Sequence, residues 1–165
     1  MKTIINILLC LAIAAGMTSC GNSGNKSDES DDKLSRSEKK ELKEMMKDLS
    51  DKVEIKGDKV IRTTKAFGGM VIKTTYHFTG DKCTRLVAEN KFPDKKTAEK
   101  FYNGNKEVSH LFDDIKMEGN TVTYVQSGEM LELGYGEYTK KSLRDKLQKE
   151  IDDSKEIMDA LKDEL

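Results

Sequence analysis

Four kinds of side chain in this 165-residue sequence have the types to do chemistry: paired carboxylates, two histidines, a cysteine in the body of the chain, and a tyrosine set between glycines. The carboxylates are Asp113-Asp114 and Asp152-Asp153. Acid–base hydrolysis of a glycoside needs two carboxyl groups across a cleft, one of them with a raised pKa. Sequence neighbours do not meet that need. On a strand they point to opposite faces, and on a helix they diverge by about 100°. Both pairs are therefore expected to be solvated charge. His77, Cys83 and His110 lack metal-ligand spacing, and neither histidine has a Ser or Cys partner pattern. Cys83 as a nucleophile needs an activating histidine in space, and a lone cysteine is more simply a small buried apolar residue. Gly134-Tyr135-Gly136 lacks the spacing and the lysine of a phosphate loop and reads as a turn. No catalytic set, metal site or cofactor is expected.

The start of the chain carries an address instead. Lys2 precedes an apolar stretch, Ile4 to Ala15, interrupted by Asn6. It has the length of a signal-peptide core and is too short to cross a bilayer. It ends at Met17-Thr18-Ser19-Cys20. This stretch resembles the lipobox of bacterial lipoproteins, with Met17 where leucine is usual. The resemblance implies that residues 1–19 are a signal peptide removed from the chain, and that Cys20 is the lipid-attachment residue, acylated on its thiol and on the new amine. Two or more acyl chains make anchoring stable where one is marginal. The implied partner is thus a membrane, held through the acyl chains on Cys20.

Residues 20–33 then read as the acylated cysteine and its tether. Gly21 to Lys33 has no large apolar residue, so it is expected to be disordered and to span roughly 20 Å. Ser27-Asp28-Glu29-Ser30-Asp31-Asp32 resembles the acidic export signal of surface-displayed lipoproteins in some Gram-negative gut anaerobes. That implies the cell surface of an outer membrane; a plain polar tether would leave the periplasmic leaflet open. A rival address exists. Ala12-Ile13-Ala14 offers a secretory cleavage site, Asn25-Lys26-Ser27 a glycosylation acceptor, and Lys162-Asp163-Glu164-Leu165 spells a retention signal of the endoplasmic reticulum. Against it, Leu161 and Leu165 continue a helical stripe, and a receptor-read tail must be free.

What remains, residues 34–165, is enough for a single domain with one core. The chain has 29 basic and 30 acidic groups. With no basic excess to neutralise phosphates, it does not read as a nucleic-acid binder. It has no Trp to serve as a sugar platform.

The elements follow from periodicity. Ser35-Arg36-Ser37-Glu38 is a capping box for a helix from Ser37 to Ser50, with Leu42, Met45, Met46 and Leu49 on one face. The period then falls to two. Lys59–Phe67, Met70–Phe78 and Cys83–Lys91 read as a three-stranded antiparallel meander, turning at Gly68-Gly69 and at Thr79-Gly80-Asp81-Lys82. In the second strand Met70, Ile72, Thr74, Tyr76 and Phe78 share one face, while Val71, Lys73, Thr75 and His77 share the other. Asp94 caps a helix that buries Ala98, Phe101, Tyr102, Val108 and Leu111 and is interrupted at Gly104. Ile115–Met117 and Thr121–Gln126 form a hairpin about Glu118-Gly119-Asn120. Gly128 to Tyr138 is ambiguous. From Thr139 one helix of about 40 Å is expected to reach the end, its stripe Leu143, Leu147, Ile151, Met158, Leu161 and Leu165 holding phase through Asp152-Asp153-Ser154. The order α-β-β-β-α-β-β-α predicts an α+β fold: an antiparallel sheet of about five strands with helices on one face.

This order, and the phrase Tyr76-His77-Phe78-Thr79-Gly80-Asp81-Lys82, is similar to small Gram-negative lipoproteins of the YehR type, a family without an established function that carries no site across. The expected role is a non-enzymatic binding or interaction module on a bacterial envelope, its ligand a protein, glycan or lipid. Paired Met45-Met46 and the apolar helices lean towards protein or lipid. The alternatives are an envelope hydrolase with a carboxylate site and a soluble resident of the endoplasmic reticulum.

Overall fold

Alternation of apolar and polar residues, punctuated by glycine turns, folds six segments of the chain into one sheet. The computed structural model describes residues 36–164. The proposed signal peptide, Cys20, the acidic run, Ser35 and Leu165 lie outside them, as does the side chain of Val108. The elements are α1 (Arg36–Lys47), β1 (Ser50–Lys56), β2 (Lys59–Lys65), β3 (Val71–Thr79), β4 (Lys82–Lys91), α2 (Lys95–Gly104), β5 (Asp114–Glu118), β6 (Thr121–Ser127), α3 (Gly128–Tyr135) and α4 (Lys140–Glu164). Short 3-10 turns cover Phe67–Gly69 and Lys106–Leu111. The class is α+β, and the six strands form one antiparallel sheet in the order β1-β2-β3-β4-β6-β5.

The meander is where the periodicity put it, and it gains a strand. Ser50–Lys56 pairs with β2 from Ser50↔Lys65 to Lys56↔Lys59, although the sequence pattern places no strand there. Only Val53 and Ile55 are apolar in it, so its alternation is faint; it is an edge strand, and edge lysines such as Lys52 and Lys56 are a common guard against further pairing. The turn at Phe67–Gly69 depends on glycine: Gly68 and Gly69 have φ of 71° and 78°, a region that side chains disfavour.

Register then decides the faces. Val60, Tyr76 and Leu86 lie side by side across β2, β3 and β4, and all three are buried. Helices α3 and α4 cover this patch with Leu131, Leu143 and Leu147. A second patch of Phe92, Val122 and Tyr124 lies under Ala98 of α2. Burying side chains as large as Leu131 and Leu143 contributes about 2 kcal/mol each. The helix starts are locally specified. Asp94 accepts hydrogen bonds from the Thr97 amide at 2.8 Å and the Thr97 hydroxyl at 2.9 Å. Thr139 Oγ1 accepts from the Ser142 amide at 3.2 Å at the head of α4.

Three expectations are corrected. Gly134-Tyr135 is not a turn but the end of α3. At Gly136 a Cβ would lie 2.5 Å from the Glu132 carbonyl oxygen, so glycine permits the close approach that ends the helix. Leu111 is exposed rather than buried, because the chain beyond Gly104 becomes a short 3-10 turn instead of prolonging α2. The α4 stripe keeps its phase over 25 residues, or about 37 Å, but its burial fades: Leu143 and Leu147 are buried and Ile151 reaches 9% exposure, whereas Leu161 is 46% exposed. The helix packs on β1 and β2 and runs on past what they can cover.

One core group has no partner. The Tyr124 ring packs against Phe112 at 4.9 Å and Phe101 at 6.3 Å. Its hydroxyl is buried without a hydrogen bond among the described residues, and burial pushes its pKa up to about 12. A buried hydroxyl left unpaired is a net cost. Tyr124→Phe, which keeps the ring, is expected to raise stability by about 1 kcal/mol, seen as a higher urea midpoint at unchanged slope.

Candidate functional site

Charged groups sit on both sides of the sheet, and the two sides differ in purpose. On the helix-covered side Arg62 of β2 reaches Asp51 of β1 with Nη2 at 2.6 Å and Nε at 3.0 Å. Its Nη1 donates to Glu150 of α4 at 3.1 Å, and Thr64 Oγ1 donates to Asp51 at 3.0 Å. Burial works against the guanidinium charge, but the Asp51 hydrogen bond and the charges of Asp51 and Glu150 outweigh it and raise the Arg62 pKa. Each guanidinium nitrogen has an acceptor within the fold, so the cluster clamps α4 to the sheet edge. Beside it the Tyr76 and Tyr135 rings meet edge-on at 5.0 Å. Burial, with Tyr135 next to it, holds the Tyr76 hydroxyl well above its ordinary pKa.

The residues with chemical potential are dispersed. Asp113 accepts a hydrogen bond from Ser127 Oγ at 2.6 Å, while Asp114 starts β5 and lines the open side of the sheet with Glu89 and Glu118. Asp152 and Asp153 are both exposed on α4, and Gln148 donates to Asp152 at 2.9 Å. His77 lies on the open side of β3, His110 is exposed in the 3-10 turn, and Cys83 is buried under α3 and α4. Among the described residues no group of three or more His, Cys, Asp or Glu is arranged to hold a metal ion.

The open side is the larger feature. Pairing aligns Ile61, Thr75, Val87 and Val125 in one row across β2, β3, β4 and β6. Thr75 at the centre is only 8% exposed. The strands β4, β6 and β5 curve into a shallow concavity of about 480 Å³ bordered by Arg85, Glu89, Asp114, Lys116 and Glu118. Charge in that half is balanced. The other half, on β1 to β3, is not: register puts Lys52, Lys56, Lys59, Lys65 and Lys73 on the open side against Glu54. Sequence reasoning recognised the polar face of β3 but missed this surplus. The period-two lysines of each strand are its signal; which strands adjoin is not.

No protein-family model matches this chain, and no curated protein or solved structure resembles it significantly.

Two groups here give tests. Cys83 is 2% exposed, and burial pushes its thiol pKa up; both suppress the reactive thiolate. Alkylation is expected to be slow in the folded protein and fast in denaturant, and equal rates would contradict the packing. For His77, burial, then Lys59 and Arg85, lower the pKa, with Asp58 opposing them. Its unfolded form therefore takes up a proton at a higher pH than the folded form. Stability from this group is complete above about pH 6.5 and is lost as pH falls from there through the folded pKa. His77→Gln is expected to flatten that part of the stability–pH curve, measured by urea denaturation between about pH 7 and 5.

Proposed function

We propose that this chain is a lipid-anchored lipoprotein of a bacterial envelope, carried to the outer membrane and displayed at the cell surface, where it acts as a binding module rather than an enzyme. The observation that carries the reading is the lipobox-like stretch ending at Cys20, joined to a domain whose helices α2, α3 and α4 all pack on the same face of its sheet. The opposite face suits recognition by contact: it is broad, shallow and patterned with charge. The partner that fits it best is a protein or a lipid surface. The open face carries no Phe, Tyr or Trp on any of the six strands, so it lacks the large rings on which sugars and nucleobases stack best. The acidic run after Cys20 supports surface display.

The anchor is tested by Cys20→Ala. The intact protein is expected to sediment with membranes after a high-salt wash, and the substituted protein to move to the soluble fraction. A substituted protein that still sediments would remove acylation as the anchor. A wild-type protein that is glycosylated and retained in the endoplasmic reticulum of a eukaryotic host would favour the soluble resident instead.

A further inference from the structure

We propose that the lysine-rich half of the open face, on β1 to β3, is a docking surface for an extended acidic polypeptide, and that its resident occupant is the chain's own run Asp28-Glu29-Ser30-Asp31-Asp32. The lysines are unequally committed. Lys56 pairs with Glu54 at 2.9 Å and Lys73 with Glu89 at 3.3 Å. Lys52, Lys59 and Lys65 form no salt bridge among the described residues. Residues 34–165 hold equal numbers of basic and acidic groups, so this surplus is local. The acidic run supplies four carboxylates in five residues with no basic residue among them.

Shape agrees with charge. Same-face residues of a strand repeat about every 6.8 Å and neighbouring strands lie about 4.8 Å apart, so the lysines form an open lattice. An extended segment has the same repeat along its own length and can set alternate carboxylates against it. The floor between the lysines is β-branched, Ile61, Thr63 and Thr75. This half has no arginine and no Phe, Tyr or Trp on its open side; it therefore offers point charges to carboxylates rather than a bidentate fork or a large stacking ring.

The reach suffices. Helix α1 has 12 residues, about 18 Å, and leads to Ser50, which pairs with Lys65 at one end of this surface. Between Asp32 and Arg36 the chain can extend about 14 Å, so the run can return to a patch roughly 20 Å long. Exposed pairs of this kind are weak singly and are screened by salt. The docking is therefore reversible, and an acidic segment of another protein can replace the run. It holds whether or not Cys20 is acylated.

The test uses the mature chain with Cys20→Ala and a nitroxide label attached at Ser30→Cys; Cys83 is buried and slow to react. Amide signals of Thr63, Lys65, Lys73 and Thr75 are expected to fall by at least half at low salt and to recover in about 0.5 M salt. The triple variant Lys59→Gln, Lys65→Gln, Lys73→Gln should abolish the loss with circular dichroism unchanged. Loss spread evenly over the domain, confined to the helices, or retained in the triple variant would overturn the proposal. Loss transferred to an isotope-labelled second chain would assign the surface to a second copy and overturn it too. So would phosphatidylglycerol vesicles that bind the intact chain and the variant Asp28→Ala, Glu29→Ala, Asp31→Ala, Asp32→Ala equally well, since a docked run must compete with them.

Discussion

Helices α2, α3 and α4 all pack on one face of the sheet, and most of the described structure follows from that. Six antiparallel strands present two faces, and an antiparallel sheet is stable with one of them in water. The side chains obey the division. Val60, Tyr76, Leu86, Val122 and Tyr124 turn towards the helices and are buried. Lysine, threonine and glutamate alternate with them on the other side. The helices are fitted to this constraint: α4 lies on β1 and β2, α3 on β4 and β6, and α2 on β5 and β6. Ala88 touches both core patches, so one small residue on β4 joins them.

Polar groups under the helices are tolerated only where they are answered. Arg62, Asp51, Thr64 and Glu150 satisfy one another at the rim of the covered face. Ion pairs that are partly buried tend to set geometry more than they add stability; here they fix where α4 crosses the sheet edge. Tyr124 is the exception, a hydroxyl in the smaller core patch with no partner among the described residues. Its ring, wedged between Phe101 and Phe112, contributes packing that outweighs the unpaired oxygen.

The proposed function and the proposed docking both draw on the uncovered side. An anchored module has to hold its binding surface away from its own core, and a sheet with helices on one side does so without a cleft. Charge supplies the direction. The whole chain is almost neutral, which argues against a polyanion binder on composition, yet the lysines of β1 to β3 are gathered on one half-face. Net charge describes solubility and long-range behaviour; a patch depends on which strands are neighbours.

Much of the fold was legible because its signals are local. The meander is written in period-two alternation and in Gly68-Gly69, the α2 cap in Asp94 and Thr97, and the unbroken α4 in the spacing of Leu143, Leu147 and Ile151. Other features were illegible for the opposite reason. Ser50–Lys56 has too few apolar residues to announce a strand, and becomes one by pairing with β2. Tyr135 sits between glycines that suggest a turn, and is helical where it can pack on Tyr76. Leu111 lost its place in the core once the chain left α2, and Leu161 lost its cover once the sheet edge ended. By itself the sequence determined the α+β class, the types of most elements and the faces of single strands, since these depend on residues a few positions apart. Only the tertiary structure decided that β6 lies between β4 and β5, that Arg62 meets Glu150 across 88 positions of chain, and that the lysines of three strands share one surface. Those depend on which segments pair across long loops, and no local pattern encodes it.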